Sequence, residues 1–126
     1  MLRFRGQLGF KAFGFGDNPY FFTEFAVYNN QIVGYALYYY GFSGYQGSPI
    51  LYLEDLYVKT AYRRMGIGSQ LFKQIAAYAL QKECCRLEWH VFSWNISAIE
   101  FYQKLNGVFR KDLIQVRLDK ENFNMR

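Results

Sequence analysis

Apolar and polar positions alternate with a period of two through much of the first half of the chain, then shift to a helical period near its middle. Phe13-Gly14-Phe15-Gly16-Asp17-Asn18-Pro19 reads as a loop from its Gly, Asp, Asn and Pro content. Tyr20 to Tyr28 is rich in Phe, Thr, Val and Tyr and predicts a strand. Asn29-Asn30-Gln31 predicts a tight turn into a second strand, Ile32 to Tyr40, closing an antiparallel hairpin. Gly41 to Pro49, with its glycines and serines, reads as a flexible loop. Ile50 to Val58 is a third strand, with Leu51, Leu53 and Asp55 alternating against Tyr52, Glu54 and Leu56.

Beyond Gly66, apolar residues at Ile67, Leu71, Phe72, Ile75, Ala76 and Ala79 form a helical stripe. Cys85 to Ser93 predicts another strand, with Leu87, Trp89 and Val91 on one face and Glu88, His90 and Phe92 on the other. Asn95 suits the N-cap of a second helix through Leu105, and Asn106-Gly107 suits its stop. Val108 to Leu118 predicts a final strand or pair. The order β-β-β-α-β-α-β describes an α/β or α+β fold, a sheet with helices packed on it. No repeat or low-complexity stretch divides residues 1–126, which read as one domain.

Composition narrows this picture in a few places. Hydrophobic residues are 52% and aromatic residues 21% of the chain, enough for a packed core and too many for disorder. Most of the twelve tyrosines are expected in the sheet and core. The net charge of +5 suits a phosphorylated ligand, but the basic residues are scattered and form no nucleic-acid module. Cys84 and Cys85 are adjacent, a spacing that rarely closes a disulfide, and no second pair completes a metal site. No apolar run reaches the roughly 20 residues a membrane span needs, and Met1-Leu2-Arg3-Phe4-Arg5 does not lead into a signal-peptide core. A cytoplasmic protein with reduced thiols is expected, binding neither nucleic acid nor membrane.

Candidate chemistry centres on Arg63-Arg64-Met65-Gly66-Ile67-Gly68, between the third strand and the first long helix. A glycine turn lets backbone N–H groups approach a pyrophosphate, and a helix N-terminus favours its charge. Such a short motif is weak by itself. Together with Leu51-Tyr52-Leu53-Glu54-Asp55-Leu56-Tyr57-Val58 before it and Trp94-Asn95 and Phe101-Tyr102 after it, the chain resembles the GNAT superfamily of N-acetyltransferases. Within it, the likeness is to the spermidine/spermine and thialysine (diamine) acetyltransferase branch. Phe15-Gly16-Asp17-Asn18-Pro19 and Leu118-Asp119-Lys120-Glu121 echo the same branch, so the likeness runs from about residue 13 to 123.

The resemblance implies a mixed, mainly antiparallel sheet with helices against it, and acetyl-CoA as cosubstrate. Arg63, Gly66 and Gly68 match the family's cofactor motif, with the amides of Arg64, Met65, Gly66, Ile67, Gly68 and Ser69 around the pyrophosphate. Leu56, Tyr57 and Val58 fall where relatives pair their backbone with the pantetheine arm, and Asn95 and Tyr102 where groups approach the thioester. Tyr102 is implied as the acid that protonates the departing thiolate. A protonated amine, with a pKa of roughly 10 as in lysine, must lose a proton before it attacks a thioester. Glu54 matches the family's base. Asp55 and Tyr45 are expected to contact a small primary amine, a diamine, polyamine or lysine analogue. On a regular strand Glu54 and Asp55 face opposite ways, so one pocket receives both only through a bulge.

Each residue also has a plainer role. Glu54 suits a solvated strand, Asp55 a loop brace, Tyr102 a core position, Arg63 a surface charge and Asn95 a simple helix cap. His90, mid-strand, reads as core or sheet-face packing. Three departures from the family stand out. Relatives place a strand and two helices before the Phe-Gly-Asp-Asn-Pro region, whereas Met1 to Ala12 matches only the end of the second helix. An N-terminally truncated domain is therefore expected: a truncated gene product, a domain fragment or an obligate homodimer that borrows cover for its sheet edge. The alternative to an active enzyme is a non-catalytic remnant that binds CoA weakly or acts as an interaction module. Arg64 stands where the branch has glycine, and strains the loop if its φ is positive. The Phe42 to Gly47 loop lacks the acid and tryptophan of polyamine-acetylating relatives, and Tyr45 is its only aromatic near the tryptophan position.

Overall fold

The computed structural model describes residues 2–5 and 18–125. The chain divides into two compact units, Met1–His90 and Val91–Arg126. The first holds a five-stranded sheet in the order β1-β2-β3-β4-β5, formed by Leu2–Arg5, Phe22–Tyr28, Gln31–Ser43, Ser48–Val58 and Leu87–Trp89. β1 to β4 pair antiparallel and β5 joins β4 in parallel. The predicted loop over residues 13–19 lies outside the described residues except for Asn18 and Pro19.

Asn29 and Asn30 both take positive φ, 49° and 65°, between Tyr28 and its partner Gln31. That is the primed two-residue turn whose twist matches a hairpin, and asparagine is among the few residues that tolerate it. The next hairpin is longer than its sequence suggests. Gly41, Phe42 and Ser43 pair with Ile50, Pro49 and Ser48, so only Gly44 to Gly47 remain as a turn. The predicted flexible loop is mostly strand, because pairing to β4 fixes residues whose composition reads as flexible. Gly34 answers a close approach. A Cβ there would lie 2.6 Å from the Tyr57 carbonyl oxygen across the ladder.

The helix α1, Ile67–Gln81, packs on β2, β3 and β4. Ile67, Leu71, Phe72, Ile75 and Ala79 are buried, as are Ala26, Val33, Ala36, Leu51 and Leu53 of the sheet. Ala76, expected in that stripe, is exposed, at the margin of the apolar arc. Full burial of a side chain such as Leu71 or Ile75 contributes about 1.5–3 kcal/mol. Glu24 is only 4% exposed on this face and accepts a hydrogen bond from Tyr78 Oη at 3.0 Å. α1 stops on a left-handed Glu83, with Cys84 N–H donating to the Ala79 carbonyl and Glu83 N–H to that of Leu80. Both cysteines are free.

Three expectations are corrected. Leu2–Arg5 is a strand paired to β2, not a helix end, since its backbone completes the ladder along Phe25 to Tyr28. The strand expected over Cys85 to Ser93 shortens to Leu87–Trp89. Val108 to Leu118 forms no strand. It runs without regular structure, broken by a turn, in the second unit, with Ile114 86% and Val116 89% exposed. β propensity expresses itself through a paired neighbour, and this segment has no ladder partner among the described residues.

The second unit's helix α2, Ile96–Lys104, has the caps its sequence announces. Asn95 Oδ1 accepts from the Ala98 amide at 3.3 Å, and left-handed Asn106 ends the helix with Gly107 N–H donating to the Tyr102 carbonyl. Further on, Arg110 pairs with Asp112 through two hydrogen bonds, which hold the Asp112 carboxyl down to about 2. Among the described residues no helix is long and apolar enough to cross a membrane.

Candidate active site

The face of the sheet opposite α1 carries the predicted acids, and a bulge determines how. In the β3–β4 ladder Leu37 pairs with Asp55 while the next residue, Tyr38, pairs with Leu53. Glu54 is the extra residue. The bulge lets Leu53 stay in the core at 2% exposure while Glu54 and Asp55, both exposed, turn to the outer face together. Regular alternation separates these carboxylates, and the bulge reunites them.

Tyrosines surround the pair. Tyr35 Oη donates to Asp55 Oδ2 at 2.5 Å. The carboxylate holds the Tyr35 proton in place, and with burial pushes that phenol up to about 12. On the other side, burial and the nearby charge of Glu54 raise Tyr39 and push Tyr52 up to about 12. The Tyr39 and Tyr52 rings stand 5.1 Å apart, and Tyr52 Oη meets Nδ1 of His90. His90 is exposed on this face, so its sheet-face placement includes a hydrogen-bond partner that the sequence does not reveal. Phenols raised in this way keep their protons at neutral pH and stand beside the acids as hydrogen-bond donors.

β4 leads from the acids into the glycine turn. β5 accompanies β4 only along Leu51 to Leu53, so from the bulge to Val58 the β5 side of β4 lacks a strand partner among the described residues. Leu56 and Val58 are half-buried and Tyr57 is exposed. Arg63 donates through Nε to the Val58 carbonyl at 2.9 Å and sets its guanidinium 5.7 Å from the Tyr57 ring centre. That carbonyl is therefore already engaged. Arg64 has φ 65°, the left-handed backbone that favours glycine. Met65 is half exposed, and Gly66, at φ 77°, is the N-cap of α1.

The donor set suits a pyrophosphate. The amides of Ile67, Gly68 and Ser69 open α1 without i−4 carbonyl partners, Gly66 offers no side-chain cap, and the first turn has no acid. A Cβ at Gly66 would meet nothing within 4 Å, so the ground above the turn is open. Two arginines flank it.

The remaining candidates stand elsewhere. Tyr45 is 96% exposed at the tip of the β3–β4 hairpin. The strand from Ser48 to Asp55 is a run of about 23 Å, so the described structure does not bring Tyr45 to the acids. Asn95 and Tyr102 belong to the second unit. Asn95 is engaged as the cap of α2, and the half-buried Tyr102 has its ring 5.4 Å from that of Phe101. A cleft of about 420 Å³, lined by Phe22, Tyr38, Tyr40, Tyr78, Gln81 and Lys82, lies on the α1 side of the sheet, away from the acids.

Residues 4–108 match the acetyltransferase (GNAT) family. The chain belongs to that family. It is 41% identical over 105 residues to a thialysine N-epsilon-acetyltransferase of Sus scrofa, covering 77% of this chain and 61% of the relative. A spermidine/spermine N(1)-acetyltransferase-like protein of Homo sapiens is 38% identical over 96 residues, 71% of this chain and 14% of the relative. This GNAT chain thus spans about three fifths of the pig protein's length. Among solved structures, an integron cassette protein from the mobile metagenome of V. cholerae superposes with a TM-score of 0.79 at 29% identity, covering 88% of this chain and 68% of its own. The GNAT branch named by the motifs and the mixed sheet both stand.

Proposed function

We propose that this protein is an acetyl-CoA-dependent N-acetyltransferase acting on a small primary amine, by direct transfer from the thioester. The observation that carries the reading is the β4 bulge. It presents Glu54 and Asp55 together on the strand that runs into the Arg63–Gly68 turn. When bound, acetyl-CoA supplies the activated acetyl group. The α1 N-terminus, Arg63 and Arg64 would hold its phosphates, and Leu56 and Tyr57 offer backbone to its arm. Glu54 takes the proton that the ammonium must lose before its nitrogen bonds to the acetyl carbon. As the carbon–sulfur bond breaks, the leaving thiolate takes a proton, a role the family likeness assigns to Tyr102. Two carboxylates flanked by Tyr35, Tyr39 and Tyr52 suit a cationic amine. The pig relative's name gives thialysine, an amine of this kind, as what that protein acetylates. A cytoplasmic homodimer is part of this reading.

The test is thermal unfolding with and without acetyl-CoA, followed by thiol release with thialysine, 1,3-diaminopropane and propylamine. Ligand at a hundred times its Kd adds about 2.7 kcal/mol, a shift of several degrees. Glu54→Gln is expected to keep that shift and lose turnover by about a hundredfold or more. Tyr102→Phe is likewise expected to bind the cofactor and turn over slowly. No acetyl-CoA shift, or full turnover in both variants, sinks the reading.

A further inference from the structure

Each of the two carboxylates brought together by the bulge meets a tyrosine hydroxyl. Asp55 has one oxygen engaged by a phenol at 2.5 Å, and that phenol keeps its proton until a pH of about 12. Tyr35 is itself braced. It faces Tyr57 across the ladder with ring centres 5.8 Å apart, and Arg63 lies over the far ring. A hydrogen bond donated to a carboxylate fixes its orientation. Glu54, the unpaired residue of the bulge, likewise shares a side-chain hydrogen bond with Tyr39, near Tyr52. The donor to Asp55 is braced by Tyr57 and Arg63, so the orientation of that acid is tied to Tyr35.

We propose that Tyr35 is a positioning residue that orients Asp55 to hold the charge of the amine. The proposal rests on the amine-acetylation reading and deepens it. Tyr35 acts through Asp55 and touches no reacting atom. Nothing in the sequence distinguishes it from the other tyrosines of β3.

The experiment uses the full chain with thialysine as the amine. Tyr35→Phe deletes only the hydroxyl and leaves the ring against Tyr57. KM for thialysine is expected to rise about tenfold, the scale of one charge-assisted hydrogen bond. kcat is expected to stay within about twofold, and the acetyl-CoA thermal shift to stay unchanged. Asp55→Asn is expected to raise KM at least as much, and adding Tyr35→Phe to it to change little further, because both act on one contact. A Tyr35→Phe protein with parental KM overturns the proposal. So does a fall in kcat at constant KM, or independent, additive effects of the two substitutions. A parent that binds acetyl-CoA but acetylates none of the three amines overturns the functional reading and this role with it. A parent that turns over beside an unaffected Tyr35→Phe overturns this role alone.

Discussion

Arg64 is the residue at which local backbone and chemistry conflict. Its φ of 65° costs an L-residue roughly 1–2 kcal/mol, yet its charge sits beside the open amides of α1. Glycine relieves that strain but gives the unfolded chain more freedom. Arg64→Gly should therefore gain about 0.5–1 kcal/mol in denaturant unfolding without ligand. If Arg64 also holds phosphate, the same variant shows a smaller stabilisation by acetyl-CoA, and the two measurements separate fold from function. The strain condition is legible in the sequence, since Arg replaces Gly in a turn. The tyrosines around the acids are not. In a chain with twelve tyrosines, a ring on a strand reads as packing. Only the β3–β4 register shows that Tyr35 reaches Asp55 and that Tyr39 and Tyr52 flank Glu54.

At the scale of elements, the sequence announces structures governed by local chemistry. The Asn-Asn turn, the stripe of α1 and both caps of α2 belong to that class. It misses those governed by a partner. The Glu54 bulge arises from strand pairing, so the sequence names it only as the condition for both acids to share a face. β1 exists through its ladder to β2, and the strand pattern of Val108 to Leu118 finds no ladder. Along α1 the distinction is measurable. Ile75 is fully buried, whereas neighbouring Ala76 faces solvent. Ile75→Ala should cost about 2–5 kcal/mol, and Ala76→Lys no more than about 0.5 kcal/mol. Equal losses by urea denaturation would show that the helix packs on a different face.

For the molecule as a whole, the two faces of the first unit's sheet divide labour, and the division has a pH signature. The outer face keeps its acids in water. The inner face buries Glu24 beneath Tyr78, where desolvation raises its pKa above the usual 4.5 despite the Tyr78 hydrogen bond, which pulls the other way. A carboxyl raised in the folded state holds its proton more tightly there than in the unfolded chain. The folded state thus binds more protons once pH passes about 4.5, and stability from this group falls as pH rises through its folded pKa. The Glu24→Gln side chain cannot ionise, and its amide oxygen can still accept from Tyr78. Urea unfolding of the parent and Glu24→Gln at pH 4 and pH 7.5 isolates the effect, because every other titrating group is common to both. Glu24→Gln should gain on the parent between the two pH values. An unchanged difference would mean that Glu24 is solvated as freely in the folded protein as in the unfolded chain, and that the inner face is less closed than its packing implies.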